Sequence, residues 1–243
     1  MPLRSAVLAL FLAPCAALAQ PIATDRPDFT ESTQVVAFGR VQIEAGATAT
    51  FDAPAAAAAA RAASESLTDL TGPEALVRVG VGRGVEGRLV LPDRSSVGPA
   101  SLSGASVGIK AALGTVAGVD AATILDVSVS DGRRPSPRVV VMLGRSVGAR
   151  ASVGGQVEAG YDPDARRVLP AATLVGGLVL GGPVATFAEV AVSAVTEGRA
   201  AVVLHHGYTL AVGETLQLDV HGGVGVTRTA PDVFVGAGVG VRF

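Results

Sequence analysis

The sequence predicts an all-β fold, a closed antiparallel up-and-down transmembrane β-barrel of about twelve strands. Three observations predict it. Apolar residues occupy every second position in many runs of about ten residues, the length that a tilted strand needs to cross a bilayer. Short and long connections alternate along the chain. Of the 243 residues, 49% are hydrophobic and 16% are charged, against roughly 25% charged in a soluble domain.

The first element is a segment typical of a secretory signal peptide, residues 1–19. Arg4 supplies the basic start, an apolar run follows, and Ala17 and Ala19 are the small residues before the cleavage point. The run is too short for a membrane helix, and a proline interrupts it. Lipid attachment at Cys15 is the poorer fit, because proline directly precedes it. Cleavage would remove the only cysteine and predicts export to the outer membrane of a Gram-negative cell.

The second element, residues 20–40, is predicted to be an irregular periplasmic segment. Four of its charged side chains lie close together around Pro27: Asp25, Arg26, Asp28 and Glu31. Two interpretations stay open for them. They fold into the periplasmic mouth as a gate, with Arg26 pairing a lumenal carboxylate such as Glu44, or they belong to a solvated leader.

The barrel is predicted to occupy residues 41–243, and its first run, Val41 to Phe51, shows the pattern most clearly. Valine, isoleucine, alanine and phenylalanine take one register, while glutamine, glutamate, glycine and threonine take the other. Because successive side chains on a strand point to opposite faces, one face is apolar and the other polar. The alternation recurs near residues 77–81, 85–91, 107–111, 123–129, 139–143, 153–159, 188–194, 216–226 and 233–243, and more weakly near 171–180 and 201–211.

The connections fall into two length classes. Short turns are predicted at 82–84, 114–118, 145–149, 181–183 and 213–215. Longer segments lie between them, at 52–73, 92–103, 131–137, 161–170, 196–200 and 227–232. Short and long connections therefore lie at opposite rims, as in barrels with short periplasmic turns and longer outer loops. An even strand count places both ends of the barrel on the short-turn side.

Two segments fit the strand pattern less well. Residues 168–188 carry no charge and are long enough for a membrane helix, but their glycines and prolines favour a hairpin with its turn at 181–183. The alanine-rich loop 53–63 forms either a short helix or a mobile stretch, and its composition assigns it no role.

The polar face of the strands predicts a barrel interior of mixed charge. The side chains expected to line the lumen are Glu44, Arg78, Glu86, Arg88, Lys110, Asp126, Arg138, Glu158, Asp219, His221 and Arg242. Glycine alternates with apolar residues in the last run, and this removes volume from the inner face of a small barrel.

Histidines supply the one cluster that suggests chemistry. On adjacent strands His205, Asp219 and His221 would share the inner face, where imidazole and carboxylate bind metal or act as a base. Polar filling of the lumen is the favoured interpretation, because no serine or cysteine nucleophile stands at an identifiable spacing. We therefore expect no catalytic residue, no metal site and no cofactor.

Residues 24–50 resemble the N-terminal signature of the bacterial outer-membrane transporter family labelled "meta-pathway of phenol degradation". The resemblance lies in Asp25-Arg26-Pro27-Asp28-Phe29-Thr30-Glu31 and in the segment from Gly39 to Gly46, and the ending VGAGVGVRF is similar too. It implies a barrel of about twelve strands that passes small, aromatic compounds. The terminal Phe243 resembles the C-terminal aromatic signature through which the barrel-assembly machinery recognises its substrates. The sequence departs from the usual aromatic girdles, because only 4% of it is aromatic.

Together these features predict a channel or transporter for passive passage of small solutes, including aromatic or hydrophobic ones, and not an enzyme. Outer-membrane lipids, the solute and the assembly machinery are the expected partners. A net charge of −2 argues against nucleic acid. Two alternatives remain: a non-conducting structural or adhesion barrel, and, less favoured, a lipid-modifying enzyme that uses the histidines.

Overall fold

The structure, a computed structural model, describes residues 22–52, 67–96, 102–130, 132–194 and 199–243. The predicted signal peptide and the alanine-rich loop 53–63 lie outside the described residues. Both therefore stay predictions.

In the described ranges, fifteen β elements form one antiparallel sheet. They are β1 (Val41–Phe51), β2 (Leu67–Gly72), β3 (Leu76–Gly82), β4 (Val85–Val90), β5 (Asp93–Ser95), β6 (Leu102–Ser103), β7 (Ala105–Val116), β8 (Val119–Val129), β9 (Ser136–Val147), β10 (Ala151–Asp162), β11 (Arg167–Gly181), β12 (Val184–Ala194), β13 (Ala200–Val212), β14 (Leu216–Gly225) and β15 (Val233–Arg242). The last strand pairs with the first, from Gln42 opposite Arg242 to Phe51 opposite Val233, so the sheet is closed.

The fifteen elements fill twelve strand positions in the described part of the barrel. Both β2 and β3 pair with β1, near its two ends, so they are one strand interrupted at Pro73. A second interruption, at Pro92, separates β4 from β5, and a third, at Gly104, separates β6 from β7. Proline lacks the N–H that a sheet ladder needs, which explains two of the breaks. The predicted closed barrel of about twelve strands is confirmed.

Some strands reach into segments predicted as connections. The β2, β5 and β6 strands lie within 52–73 and 92–103, and β11 begins at Arg167, inside 161–170. These extensions are rich in polar residues, so they pair through their backbones without an apolar alternation. Residues 168–188 form the hairpin β11–β12, with Gly182 at a φ of +53° in the turn, and the single-helix alternative is wrong. No helix among the described residues is long and apolar enough to span a membrane.

The strands β1 to β15 form the wall of the barrel. Its inner and outer faces differ in polarity, as the alternation predicts. On β1, Ile43 is 41% exposed, while its neighbours Gln42 and Glu44 are buried. Large apolar side chains such as Leu125 and Leu174 cover the outside. The inside holds the buried charges and one fully buried apolar cluster on β8 and β9, made of Ala122, Ile124, Val140 and Met142. A wall that is apolar outside and polar inside is the surface pattern of a barrel surrounded by hydrocarbon.

Candidate functional site: a plugged barrel interior

Residues 22–38 fold back into the barrel, and we call this segment the plug. It is rooted at the short-turn rim, where Phe38 forms an isolated bridge with Gly80 and the N–H of Gly39 donates to the carbonyl of Gly80 (3.0 Å). From there it rises to Thr30, which contacts Glu189 halfway along β12, and returns to Ile22 near Gly240. The charged segment predicted at the periplasmic mouth therefore lies inside the barrel.

The plug has no strand ladder of its own beyond that bridge, and wall side chains take over the role of a partner strand. Six of its N–H groups donate to three wall glutamates and one glutamine. The bonds join Asp25 and Arg26 to Glu44 (2.9 and 3.0 Å), Phe29 and Thr30 to Glu189 (2.8 and 2.7 Å), Glu31 to Gln156 (2.8 Å) and Val36 to Glu86 (2.6 Å). Since buried backbone groups need partners, these acceptors fix the path of the segment.

Arg78 on β3 is the hub of the charged interior. Its guanidinium makes a two-pronged pair with Glu86 (2.8 and 3.0 Å) and a third bond to Glu44 (3.0 Å). It also donates to the plug carbonyls of Ala23 and Gln34, each at 3.0 Å. One buried arginine therefore holds both ends of the plug to the wall.

The carboxylate of Asp25 lies among three wall cations. It accepts a hydrogen bond from Lys110 Nζ (2.9 Å), contacts Arg88 Nη1, and lies 3.4 Å from Arg78 Nη1. Burial alone would raise the pKa of Asp25, but the charges of Arg78, Lys110 and Arg88 outweigh it and hold that pKa well below 3.8. Asp25 is thus a charged anchor of the plug.

Arg26 pairs with a different set of wall residues. Its guanidinium pairs with Glu74 (2.6 Å) and lies 3.5 Å from both Asp219 Oδ1 and His221 Nε2. The carboxylate partners of the guanidinium are therefore Glu74 and Asp219, and not Glu44, the example named from the sequence. Glu44 instead accepts the backbone N–H of Arg26, because its other oxygen is already held by Arg78.

Glu31 and Asp28 are the plug acids whose pKa values rise. Burial raises the pKa of Glu31 to about 7, although the nearby Arg88 opposes the shift. Its carboxylate contacts Arg88 (2.5 Å) and lies 3.7 Å from Arg138. Burial, followed by repulsion from Glu189, raises the pKa of Asp28 well above 3.8. The plug therefore carries two carboxyl groups that resist ionisation when it is docked.

The histidines split between the two faces. His205 and His221 face inwards, and hydrogen-bond contacts link Glu189 to His205 (3.0 Å) and His205 to His221 (3.0 Å). His206 is exposed on the outer face and contacts the carbonyl of Phe187. Among the described residues no group of three or more histidine, cysteine, aspartate or glutamate side chains is arranged to hold a metal ion. The inward pair supports the plug, because Glu189 binds its apex.

Glycines on the inner face of β15 make room for the plug. A Cβ atom at Gly238 would come 2.4 Å from Arg26 Nε, and one at Gly240 would come 2.5 Å from Thr24 Cγ2. At Gly240 the near atoms all belong to side chains, whereas at Gly238 a wall carbonyl is also close. The glycine alternation of the last strand thus leaves the space that the plug fills.

We expect Gly240→Leu to push the start of the plug off the wall, because the new side chain needs the space of Thr24. The measurement is protease cleavage within residues 22–38 of the detergent-solubilised barrel, which should become faster than in the wild-type protein. Gly176→Leu is the matched control, since a Cβ there meets nothing within 4 Å. Equal cleavage of the two variants would contradict this role of Gly240.

Cavities lie on both sides of the plug. One of about 300 Å³ lies towards the long-loop end, lined by Phe29 of the plug and by Arg138, Glu158, Ala171 and Ser193 of the wall. Two others, of about 230 and 250 Å³, lie towards the short-turn end and share Asp28, Ser152 and Val175. The plug contributes to the lining of all three, through Phe29 in the first and Asp28 in the other two.

The structure brings most of the predicted lumen residues together. The buried ones are Glu44, Arg78, Glu86, Arg88, Lys110, Asp126 and Asp219, and the partly buried ones are Arg138, Glu158 and His221. Arg138 joins Asp126 (2.7 Å) to Glu158 (3.0 Å). Arg242 lies at the short-turn rim, where it donates to the carbonyl of Glu214. Whether these residues line a solute path stays a prediction.

Several wall residues that hold the plug were absent from the predicted set, among them Glu189, Gln156, Gln42 and Glu74. Glu189 and Gln156 occupy inward positions on β12 and β10, so the same alternation could have found them. Gln42 precedes Glu44 by two residues and shares its face. Glu74 lies in the break between β2 and β3, where no periodicity exists to assign it a face.

This fold and interior define a transmembrane β-barrel whose lumen is filled by its own N-terminal segment. Several solved structures share the fold. A KdgM porin superposes with a TM-score of 0.59 at 10% identity over 83% of this chain and 99% of that one. A NanC porin gives 0.56 at 8% identity over 84% and 98%. The COG4313 outer membrane channel from Pseudomonas putida F1 gives 0.62 at 8% identity over 87% and 98%.

These likenesses establish the architecture, since the identities are low. No family model and no curated protein matches the sequence. The resemblance of residues 24–50 to the phenol-degradation family therefore stays a prediction. Its seven-residue motif, Asp25 to Glu31, coincides with the part of the plug that contacts the wall most densely.

Proposed function

We propose that the protein is an outer-membrane channel for passive passage of small solutes, gated by its plug. The observation that carries the proposal is how the plug is held. Apart from the bridge of Phe38 with Gly80 at its root, side chains bind it, so it can leave without opening the twelve-stranded wall. The solved structures that share the fold are named porins and an outer membrane channel, which supports the same class of function.

The cavity at the long-loop end suggests what such a solute meets first. Phe29 is 42% exposed and forms its floor, Ala171, Ala191 and Ala201 form one side, and Arg138 with Glu158 forms the other. An aromatic floor beside small apolar side chains favours a flat, partly apolar molecule. This supports the aromatic or hydrophobic solutes that the sequence resemblance implies. Passage then needs no cofactor and no coupled energy source, and the mixed charges of the lumen set selectivity.

The outer surface of the barrel supports the proposed location in the outer membrane. Exposed valine, leucine and isoleucine side chains form a belt suited to outer-membrane lipids. Phe243 ends the barrel with its side chain 62% exposed, as a contact for the assembly machinery requires. Export by residues 1–19 completes this proposal.

A non-conducting structural barrel is the second candidate. The buried ion pairs of Asp25 favour it, since breaking them during gating is unfavourable unless other ions replace them. An enzyme is a weaker proposal, because the imidazoles of His205 and His221 are bonded to each other and to Glu189.

Deleting residues 22–36 separates channel from structural barrel. If the plug is a gate, the wild-type protein should open in planar bilayers for only a small fraction of the time, and the deletion should raise the mean conductance on the order of a hundredfold. Migration in gels before and after boiling checks that the deleted protein is still a folded barrel. A folded deletion variant with unchanged conductance would contradict the channel proposal.

The acids of the plug predict a pH response. A docked Glu31 with a pKa of about 7, against an ordinary value of 4.5, binds a proton that the released plug gives up. The contribution of Glu31 to docking is therefore fully present below about pH 4.5 and is lost as the pH rises through about 7, and Asp28 acts in the same direction. Asp25 acts in the opposite direction, but only below 3.8. We expect the open fraction to rise between pH 5 and 7.5.

The paired substitution Glu31→Gln with Asp28→Asn should flatten this pH profile, because neither replacement titrates. Glu158→Gln is the control on the wall, and it should keep the rise. A profile that stays steep in the paired variant would locate the response elsewhere.

A further inference from the structure

The contacts of Asp25 form a built anion site. Lys110 Nζ donates to one carboxylate oxygen (2.9 Å), while Arg88 contacts the other oxygen and Arg78 lies 3.4 Å from it. Lys110 and Arg78 are fully buried, and Arg88 nearly so. The three cations come from β3, β4 and β7, three neighbouring strand positions, so the closed wall holds their spacing whether or not the plug is present.

The three cations differ in the carboxylate partners that remain to them when Asp25 leaves. Arg78 keeps its bonds to Glu86 and Glu44, and Arg88 keeps its contact with Glu86 (3.1 Å). Among the described residues, Asp25 is the one carboxylate paired with Lys110. Release of the plug therefore leaves the ammonium group of Lys110 without its carboxylate partner.

The charge balance sets the kind of anion. Without the plug, Arg78, Arg88 and Lys110 face Glu44 and Glu86, which leaves one positive charge in excess. Asp25 compensates this excess with two oxygens, one for lysine and one for arginine. A single carboxylate reproduces that arrangement, because its two oxygens match both the charge and the number of donors.

We propose that Arg78, Arg88 and Lys110 form a binding site for a small carboxylate solute, and that Asp25 occupies it as an internal competitor. The inference rests on the proposed function, because the plug must leave for a solute to reach the site. A carboxylate that takes over Lys110 and Arg88 replaces the ion pairs lost on opening. It therefore favours the open state, and the channel selects carboxylates by coupling their binding to plug release.

Chemical rescue tests the site in the full-length protein. Asp25→Gly removes the plug carboxylate and leaves room for formate, which has the same two oxygens. We expect this variant to unfold at a lower temperature than wild type in chloride, as judged by its mobility in gels. Formate should restore the midpoint, half of the effect appearing on the order of 10 mM because a three-atom ligand binds weakly. Wild type should not respond, since Asp25 fills its site.

Three controls define the result. Formamide has the size of formate without its charge, and chloride at equal ionic strength has the charge without the two oxygens. Neither should restore the midpoint. The double variant Asp25→Gly, Lys110→Met should lose the response to formate. Rescue by chloride as good as that by formate, or rescue that survives the loss of Lys110, would overturn the carboxylate site.

Three further outcomes also decide the test. If Asp25→Gly does not fold in chloride, the yield of folded barrel in formate replaces the midpoint, and an unchanged yield would overturn the site. If deletion of the plug leaves conductance unchanged while formate still rescues Asp25→Gly, gating fails and the site stands. If deletion opens the channel and formate does not rescue, the channel stands and the site fails.

Discussion

Replacing Arg78 with methionine should destabilise the barrel and release the plug in one step. Methionine keeps much of the length of the side chain but removes the charge and all of its donors. Glu44 and Glu86 would then be buried without their shared counter-ion, and such a loss costs about 3–5 kcal/mol. The plug carbonyl of Gln34 would lose its donor as well, and that of Ala23 would keep only the amide of Gln42. We expect a lower unfolding midpoint on gels and a higher open fraction in bilayers.

Two control variants separate the role of the Arg78 side chain from a general effect of losing an arginine. Arg78→Lys keeps the charge but not the planar fork that binds Glu86, so it should fall between wild type and Arg78→Met. Arg145→Met removes an exposed arginine near the short-turn rim and should change neither readout. An unfolding midpoint for Arg78→Met within 1 or 2 degrees of wild type would mean that the hub is not structurally important.

The wall was predictable because its information is local. A strand with one face in hydrocarbon and one in a polar lumen needs apolar and polar residues at alternate positions, and β1 shows this alternation along its length. The same rule separates His205 from His206, adjacent residues that the structure places on opposite faces. Glu189 obeys the rule as well, so its absence from the predicted set was an omission and did not reflect a missing signal.

The plug was not predictable in the same way. Its contacts join residues far apart in sequence, such as Phe29 and Glu189, which are separated by 160 positions. The segment has no periodicity, since its backbone bonds to side chains and not to a neighbouring strand. Four charges near Pro27 are equally typical of a solvated leader, so composition alone left both interpretations open. The positions of Arg78, Arg88 and Lys110 around Asp25 show that the charged side chains of the plug lie inside the barrel.

The pairing of Arg26 illustrates why local charge patterns mislead. Both Arg26 and Arg78 are near enough to pair with Glu44, and the sequence alone does not show which of them does. Arg78 lies on β3, which pairs directly with β1, so register alone sets it opposite Gln42 and beside Glu44. Arg26 meets Glu44 through its backbone, and its guanidinium is left to pair with Glu74. The strand register places Arg78 beside Glu44, and this determines which of the two arginines forms the ion pair with Glu44.

A disulfide between the plug apex and the wall should hold the channel closed. The hydroxyl groups of Thr30 and Thr173 are in hydrogen-bond contact, which places their Cβ atoms near the roughly 4 Å that a disulfide needs. The chain's single cysteine, Cys15, lies in the predicted signal peptide, whose cleavage would remove it.

With Thr30→Cys and Thr173→Cys combined, oxidation should abolish openings that, for a minor state, occupy on the order of 1% of the recording. Reduction should restore them in the same membrane, because the bond is the only difference between the two conditions. Each single substitution is a control that should conduct like wild type whether oxidised or reduced. Openings that persist in a fully cross-linked sample would mean that solutes pass beside a stationary plug, since the apex would then have no freedom to leave Glu189.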